Sequence, residues 1–184
     1  MNCFIIPKQA ARLAVLQRIE LASPLLLKIR KLFGRYIFSN LITKYFLNAN
    51  LIGKRYYETM LNEFLTLEKF IEQNHKSILS IGAGLGGLEI IINQKFNDKT
   101  FFFIERNYVS KKVKYGWDSS NNEAYNDLKV QKEFLTLNQM DQKKINIFDY
   151  DHDILPEFKF DLVISLLSLD YHYDFQIYQN YLKK

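Results

Sequence analysis

Hydrophobic and polar residues follow different patterns in the two parts of this chain. From Pro7 to Gln73, apolar residues recur every three or four positions, which is the spacing of one face of an α-helix. After His75 the pattern changes to short apolar runs that are separated by glycine turns and by helical stretches. We therefore predict an N-terminal helical segment followed by an α/β domain.

The second predicted helix is both amphipathic and basic. Ser23 and Pro24 have the residue types of an N-cap and of a first helical position. Apolar and basic residues are interleaved after them: Leu26, Leu27, Ile29 and Leu32 lie beside Lys28, Arg30, Lys31 and Arg35. We favour packing of the apolar side of this helix against the following domain, with contact to an anionic membrane surface as the alternative.

Four short apolar segments predict the strands of a sheet. They cover residues 77–81, 101–104, 145–148 and 160–166, and further helices are predicted at 56–73, 88–95 and 123–138. Continuous apolar runs, such as the second of these segments, are typical of parallel strands that are buried on both faces. The alternation of strand and helix predicts a doubly wound, mostly parallel α/β sheet.

A glycine turn follows the first predicted strand and precedes the next helix. It reads Gly82-Ala83-Gly84-Leu85-Gly86-Gly87, and Glu105 follows it by 18 residues at the end of the second strand. Glycines let a ligand approach the backbone, and a carboxylate at that strand end can accept the hydroxyls of a ribose. Glycines 82, 84 and 87 fit the dinucleotide-binding pattern and glycines 82, 84 and 86 the methyltransferase pattern, so the spacing does not choose between them.

Downstream residues favour the methyltransferase. Segments 78–87, 146–151 and 160–165 resemble the first motif, the third-strand acid and the fourth strand of class I S-adenosylmethionine-dependent methyltransferases. Segment 165–173 is similar to the corresponding part of sugar O-methyltransferases. The resemblance covers residues 56–184 and implies a Rossmann-like fold, preceded by a basic helical segment over residues 1–55.

The same resemblance implies a set of cofactor contacts. The glycines would line the methionine part of S-adenosyl-L-methionine, Glu105 would hold the ribose, and Asp149 with Tyr150 would lie near the adenine. The full predicted set is Ser80, Gly82, Ala83, Gly84, Gly86, Glu105, Arg106, Asp149, Tyr150 and Ser165.

Two features depart from that family. The family usually has an acid two residues before the first glycine, which helps to hold the ammonium of the cofactor, and this chain has Ser80 there. The family's sheet also has more strands than we predict here, so we expect a C-terminally shortened domain. Its fourth strand, with Leu162, Val163 and Ile164, would need self-association or a partner chain to cover its edge.

Methylation of a sugar hydroxyl, or of a related small substrate, needs a base that removes a proton. His172 and Asp170 follow the fourth predicted strand, at the edge of the sheet where α/β sites lie, and they are the candidate catalytic residues. Structural alternatives are a hydrogen-bonding role for His172 and a helix cap for Asp170. No metal site is predicted, because His75 and His152 do not have the spacing of metal ligands.

Charge is distributed unevenly between the two parts of the chain. Residues 1–55 hold ten bases and one acid, a net charge of +9, whereas residues 56–184 hold 15 bases and 19 acids, a net charge of −4. An anionic partner, including a membrane surface, should therefore meet the N-terminal segment. We expect no nucleic-acid partner, because no platform of interleaved aromatic and basic residues is present.

Cysteine content and apolar run lengths bear on the cellular compartment. Cys3 is the single cysteine, and no apolar run approaches the ~20 residues that cross a bilayer. We expect a cytoplasmic protein with at most peripheral membrane contact. Three functions stay open: a methyltransferase, a non-catalytic methyltransferase-like subunit that acts through a partner chain, and an NAD-binding oxidoreductase.

Overall fold

Four parallel strands form one sheet in the computed structural model, which describes residues 3–109, 125–166, 168, 169, 173–175, 179 and 181, without the side chains at positions 35, 36 and 40. The strands are β1 (Ser77–Ile81), β2 (Thr100–Glu105), β3 (Ile145–Asp149) and β4 (Leu162–Ile164). Their order across the sheet is β3-β2-β1-β4. This arrangement confirms the predicted parallel α/β fold with N-terminal helices.

The strand register brings all four carboxyl ends to one edge of the sheet. Ile78 pairs with Phe101 on one side and with Leu162 on the other. Glu105 pairs with Asp149 at the ends of β2 and β3. Because the strands are parallel, the segments that follow them meet at the same edge.

The described part of the chain has six helices, and their buried apolar residues pack in the core cluster on one face of the sheet. The helices are α1 (Lys8–Gln17), α2 (Pro24–Ile37), α3 (Thr43–Tyr45), α4 (Ala49–Leu67), α5 (Gly87–Lys95) and α6 (Leu128–Leu137). The side chain of Asn48 caps α4 by accepting a hydrogen bond from the amide of Leu51, at 3.2 Å. This cap starts α4 seven residues before the predicted position 56, so the helix is continuous across residue 55. None of these helices combines the length and the apolar composition that spanning a bilayer requires.

The N-terminal helices and the sheet share one hydrophobic core. Helix α1 contributes small buried side chains, among them Ala10 and Ala14, which allow close approach to its neighbours. The ring of Phe4 contacts Tyr56 on α4 and Phe134 on α6, with both ring centroids 5.4 Å away. The first residues of the chain are therefore part of the core rather than an appended arm.

Helix α2 packs on this core with only one of its sides. Leu26 and Leu27 contact the core, whereas Leu25 and Leu32 are 67% and 80% exposed. The predicted packing of the apolar residues of α2 is thus right for its inner side and wrong for Leu32. Leucines lie on several sides of α2, so only those on its inner side can reach the core.

The buried side chain of Asn138 connects the N-terminal segment to the end of α6. Its Oδ1 accepts a hydrogen bond from the amide of Ile5, and its Nδ2 donates to the carbonyl of Ile5, both at 2.9 Å. Nδ2 also donates to the carbonyl of Phe134 at 2.8 Å. One side chain therefore hydrogen-bonds backbone groups both at the end of α6 and in the N-terminal segment.

Replacing this side chain should destabilise the fold. We expect Asn138→Ala to lower the free energy of unfolding by ~2 kcal/mol, because buried polar backbone groups lose their partners. Urea denaturation of the variant and of the wild type measures the difference. Asn97→Ala, at an exposed position, is the matched control and should change stability by no more than ~0.5 kcal/mol. Equal stabilities of the two variants would contradict the connecting role of Asn138.

Candidate cofactor site

Segments after all four strands meet at the carboxyl edge of the sheet. The amide of Gly82, after β1, donates to the carbonyl of Ile104 at 3.0 Å. The amide of Tyr150, after β3, donates to the carbonyl of Glu105 at 2.7 Å. The hydroxyl of Ser165, after β4, donates to the carbonyl of Ile81 at 3.1 Å. The structure therefore brings the predicted site residues of the four strands together at this edge.

The glycine turn has the left-handed backbone that glycine favours. Gly82 and Gly84 have φ angles of 64° and 66°. Side chains of this same chain also fill the space beside them. A Cβ on Gly82 would lie 2.2 Å from the Oγ of Ser168, and a Cβ on Gly84 would lie 2.5 Å from the Oε1 of Gln17. The fold alone thus requires glycine at both positions.

The carboxylate of Glu105 holds the glycine turn in place. It is 2% exposed, and its Oε1 accepts a hydrogen bond from the amide of Gly84 at 2.8 Å. Its Oε2 accepts from the Nδ2 of Asn126 at 3.2 Å. Burial raises the pKa of Glu105 well above the ordinary value for a glutamate. Each of these oxygens has a second lone pair, so a ribose hydroxyl would have to reach the carboxylate beside Gly84 and Asn126.

Two amide side chains that the sequence analysis did not identify complete this network. Asn126 is buried and its Nδ2 also donates to the carbonyl of Gly84, at 3.0 Å. Gln17, at the end of α1, donates from its Nε2 to the carbonyl of Tyr125 at 2.7 Å. Neither residue carries a recognisable sequence signal, because amide side chains are common at helix ends and in the segments before them.

A second buried carboxylate lies next to Ser80. The Oγ of Ser80 donates to the Oε1 of Glu89 at 2.6 Å, and both residues are almost fully buried. The Oε2 of Glu89 has no hydrogen-bond partner among the described residues. Desolvation by burial raises the pKa of Glu89 to about 7, and the hydrogen bond from Ser80 opposes this rise. A carboxylate from α5 therefore lies beside the position at which the sequence lacks an acid.

A small cavity of about 10 Å³, roughly the room that one water needs, adjoins this carboxylate. Ser80, Glu89, Arg18 and Ser165 are among the residues that line it. The guanidinium of Arg18 is paired with Glu63, with 2.7 Å between Nη1 and Oε1 and 3.1 Å between Nη2 and Oε2. Arg18 lowers the pKa of Glu89 through its charge, but in the described region no cation is hydrogen-bonded to Glu89.

The sequence contained a signal for Glu89 that the analysis overlooked. This acid is surrounded by the apolar residues Leu88, Ile90, Ile91 and Ile92, in the first turns of a helix that opens from the glycine turn. An acid at a position that must face the core needs a partner or a ligand.

Residues after β2 and β3 interact mainly with each other. The guanidinium of Arg106 lies 4.9 Å from the ring centroid of Tyr150 and 3.7 Å from the Oδ1 of Asp151. The carboxylate of Asp149 accepts from the amide of Asp151 at 3.1 Å and contacts the Nδ1 of His152 at 3.1 Å. Asp149 thus stabilises its own turn in this structure. In the described ranges, no three His, Cys, Asp or Glu side chains are grouped as metal ligands would be.

The candidate catalytic residues His172 and Asp170 lie outside the described residues. Two nearby residues that are described contact the glycine turn region. The Oγ of Ser168 donates to the carbonyl of Ile81 at 2.6 Å, and the buried ring of Tyr173 would meet a Cβ on Gly82 at 2.8 Å. Part of the segment that follows β4 therefore packs over the turn.

No protein-family model, curated protein or solved structure matches this chain.

The titration of Glu89 should be visible in the stability of the protein. Its folded pKa of about 7 lies above the ordinary 4.5, so the folded state keeps a proton that the unfolded state releases. The contribution of Glu89 to the free energy of unfolding should therefore be largest below about pH 4.5. It should fall by ~3 kcal/mol as the pH rises through 7.

Urea denaturation of wild type and Glu89→Gln between these pH values tests this expectation. Glutamine does not titrate, so the variant should lose this part of the pH dependence, together with the rise that the charge of Glu89 causes in the pKa of Glu105. Glu133→Gln, at an exposed position of α6, is the matched control and should behave like the wild type. The same pH dependence in both variants would show that Glu89 does not titrate in this range.

Proposed function

We propose that this chain is an S-adenosylmethionine-dependent methyltransferase that acts on a hydroxyl group of a sugar or of a related small molecule. The observation that carries the proposal is the carboxylate of Glu89. It is buried beside the glycine turn, and its Oε2 has no hydrogen-bond partner among the described residues. A carboxylate in that condition is stabilised by a cation that reaches it.

The side chains at the carboxyl edge fit the chemical groups of this cofactor. Its amino-acid part carries an ammonium, which Glu89 and Ser80 would hold together. The ribose hydroxyls would donate to Glu105, and the adenine amino group would donate to Asp149. These acids belong to three adjacent segments of the edge, which is the order in which an extended ligand would meet them.

The bound cofactor would supply a methyl group on a positively charged sulfur, which is already activated for in-line displacement. The protein then has to align the acceptor hydroxyl and to remove its proton. His172 and Asp170 are our candidates for the base, because they follow β4 in the sequence and the catalytic groups of α/β domains come from segments after the strands. Binding also requires Ser168 and Gln17 to move away from the glycine turn.

The packing around the turn favours a second candidate function. Ser168 and Gln17 already occupy the space beside Gly82 and Gly84, and both oxygens of Glu105 are bonded within the chain. These contacts are what a methyltransferase-like domain would have if the turn served only the fold. Such a domain would act by pairing with another chain.

Calorimetric titration with S-adenosylhomocysteine and with NAD distinguishes these functions. We expect the purified chain to bind S-adenosylhomocysteine and to bind NAD more weakly. Glu89→Gln should weaken S-adenosylhomocysteine binding about 10- to 150-fold, the effect of losing ~1.5–3 kcal/mol from a hydrogen bond to a charged group. Glu133→Gln should bind like the wild type.

Each other outcome has a definite meaning. Tighter binding of NAD would favour an NAD-binding oxidoreductase over a methyltransferase as the function of this chain. Binding of neither ligand by a folded protein would support the non-catalytic subunit. Equal S-adenosylhomocysteine affinities of Glu89→Gln and Glu133→Gln would remove Glu89 from the site.

A further inference from the structure

An exposed apolar surface extends along α2 and the residues that follow it, up to Phe46. We call it the α2 face. The most exposed of its apolar side chains are Leu32 (80%), Leu25 (67%), Phe46 (65%), Tyr45 (63%) and Phe33 (58%). Ile37 and Leu41 are 44% and 49% exposed and lie between Phe33 and Tyr45 in the sequence, after a break in the helix at Gly34, where φ is 78°. Scattered apolar residues are normal on a protein surface, but this concentration of exposed apolar residues between Leu25 and Phe46 indicates a binding surface.

The fold holds these residues outward because the opposite side of the same segment is already buried. Leu26 and Leu27 pack on the core, and Phe38 is 2% exposed. A rotation of α2 that covered Leu32 would therefore expose residues that now stabilise the core. Leu25 and Leu32 are seven residues apart, two helical turns, so they lie on one side of the helix.

The charged residues of this segment are all basic. From Pro24 to Phe46 the sequence has five Lys or Arg residues and no acid. Lys28 and Lys31 are exposed on α2, and the Nζ of Lys44 lies 5.4 Å from the ring centroid of Tyr45. Apolar side chains and cations therefore occupy the same surface.

We propose that the α2 face binds the surface of an anionic lipid bilayer. Apolar side chains of a helix that lies in the interface enter the acyl boundary, and lysines beside them attract anionic headgroups. Aromatic residues such as Tyr45 and Phe46 are suited to the boundary between the two regions. This inference is independent of the proposed methyltransferase activity.

The charge pattern selects this partner over two others. A second copy of the chain would bring the same positive surface against the first, and like charges would oppose the contact. A nucleic acid would pair with the lysines through its phosphates but would leave Leu32 and Phe33 in water. A bilayer with anionic lipids satisfies both the charges and the apolar groups.

Sedimentation with vesicles tests the proposal on the full chain. We expect binding to vesicles of phosphatidylcholine mixed with phosphatidylserine, and at least about tenfold weaker binding to pure phosphatidylcholine. Leu32→Ser combined with Phe33→Ser should weaken binding to the anionic vesicles at least about tenfold. Lys28→Glu combined with Lys31→Glu should weaken it to a similar degree.

Matched controls change the same residue types elsewhere. Leu65→Ser with Phe70→Ser alters side chains that are 60% and 59% exposed outside the α2 face. Lys129→Glu with Lys132→Glu reproduces the charge change and the spacing on α6. Both control proteins should bind vesicles like the wild type, and circular dichroism should show that all four variants are folded.

Three results would overturn the proposal. One is absence of binding to anionic vesicles by the folded wild type. Another is equal weakening by the α2-face variants and by their controls. The third is a concentration-dependent dimer in solution that Leu32→Ser with Phe33→Ser dissociates, because a second copy would then cover this surface.

Discussion

The hydrogen bonds that Glu105 accepts from Gly84 and Asn126 are the constraint on which the carboxyl edge of the sheet depends. They join the ends of β1 and β2 to the segment before α6. Asn126 also donates to the carbonyl of Gly84, so the turn is held by both its amide and its carbonyl. Gln17 extends the same network to α1 through the carbonyl of Tyr125. The N-terminal helices and the glycine turn therefore form one structure.

This arrangement places two carboxylates in a poorly solvated region. Burial raises the pKa of both Glu89 and Glu105, and the charge of Glu89 adds to the rise at Glu105. Arg18 lies on the lining of the cavity beside Glu89 but is bonded to Glu63. A cation that reached Glu89 would relieve an unfavourable interaction that the folded chain otherwise carries. The same electrostatic condition explains both the proposed ligand and the expected dependence of stability on pH.

The helices from α1 to α4 have a side that packs on the core and a side that faces solvent. Small residues of α1 and aromatic residues of α4 pack on the sheet side, where Tyr56 accepts a hydrogen bond from the amide of Gly87 at 3.2 Å. The outer side of α2 keeps Leu25, Leu32 and lysines in contact with solvent. If α2 buried all its apolar residues, no exposed apolar surface would be available for the proposed contact with a bilayer.

The sequence by itself determined the parallel α/β fold and the position of its glycine turn. Continuous apolar strands, helical periodicity and glycines are local patterns. The observed bounds of β1 are therefore the predicted ones. The predicted N-cap at Ser23 is confirmed, because its Oγ accepts a hydrogen bond from the amide of Leu26. The fourth strand was predicted over 160–166 but pairs only over Leu162–Ile164, because strand ends depend on the neighbour that supplies hydrogen bonds.

Only the tertiary structure decided which side chains interact at the carboxyl edge. The sequence indicated that Ser80 replaces an acid, but it did not reveal that Glu89 lies 2.6 Å from its hydroxyl, because the two residues belong to different elements. It identified Glu105 as an acid at a strand end, whereas the fold turns that carboxylate toward Gly84 and Asn126. It also did not separate Leu26, which is packed on the core, from Leu32, which is exposed. Hydrophobic periodicity describes one helix at a time, and burial depends on where the other elements lie.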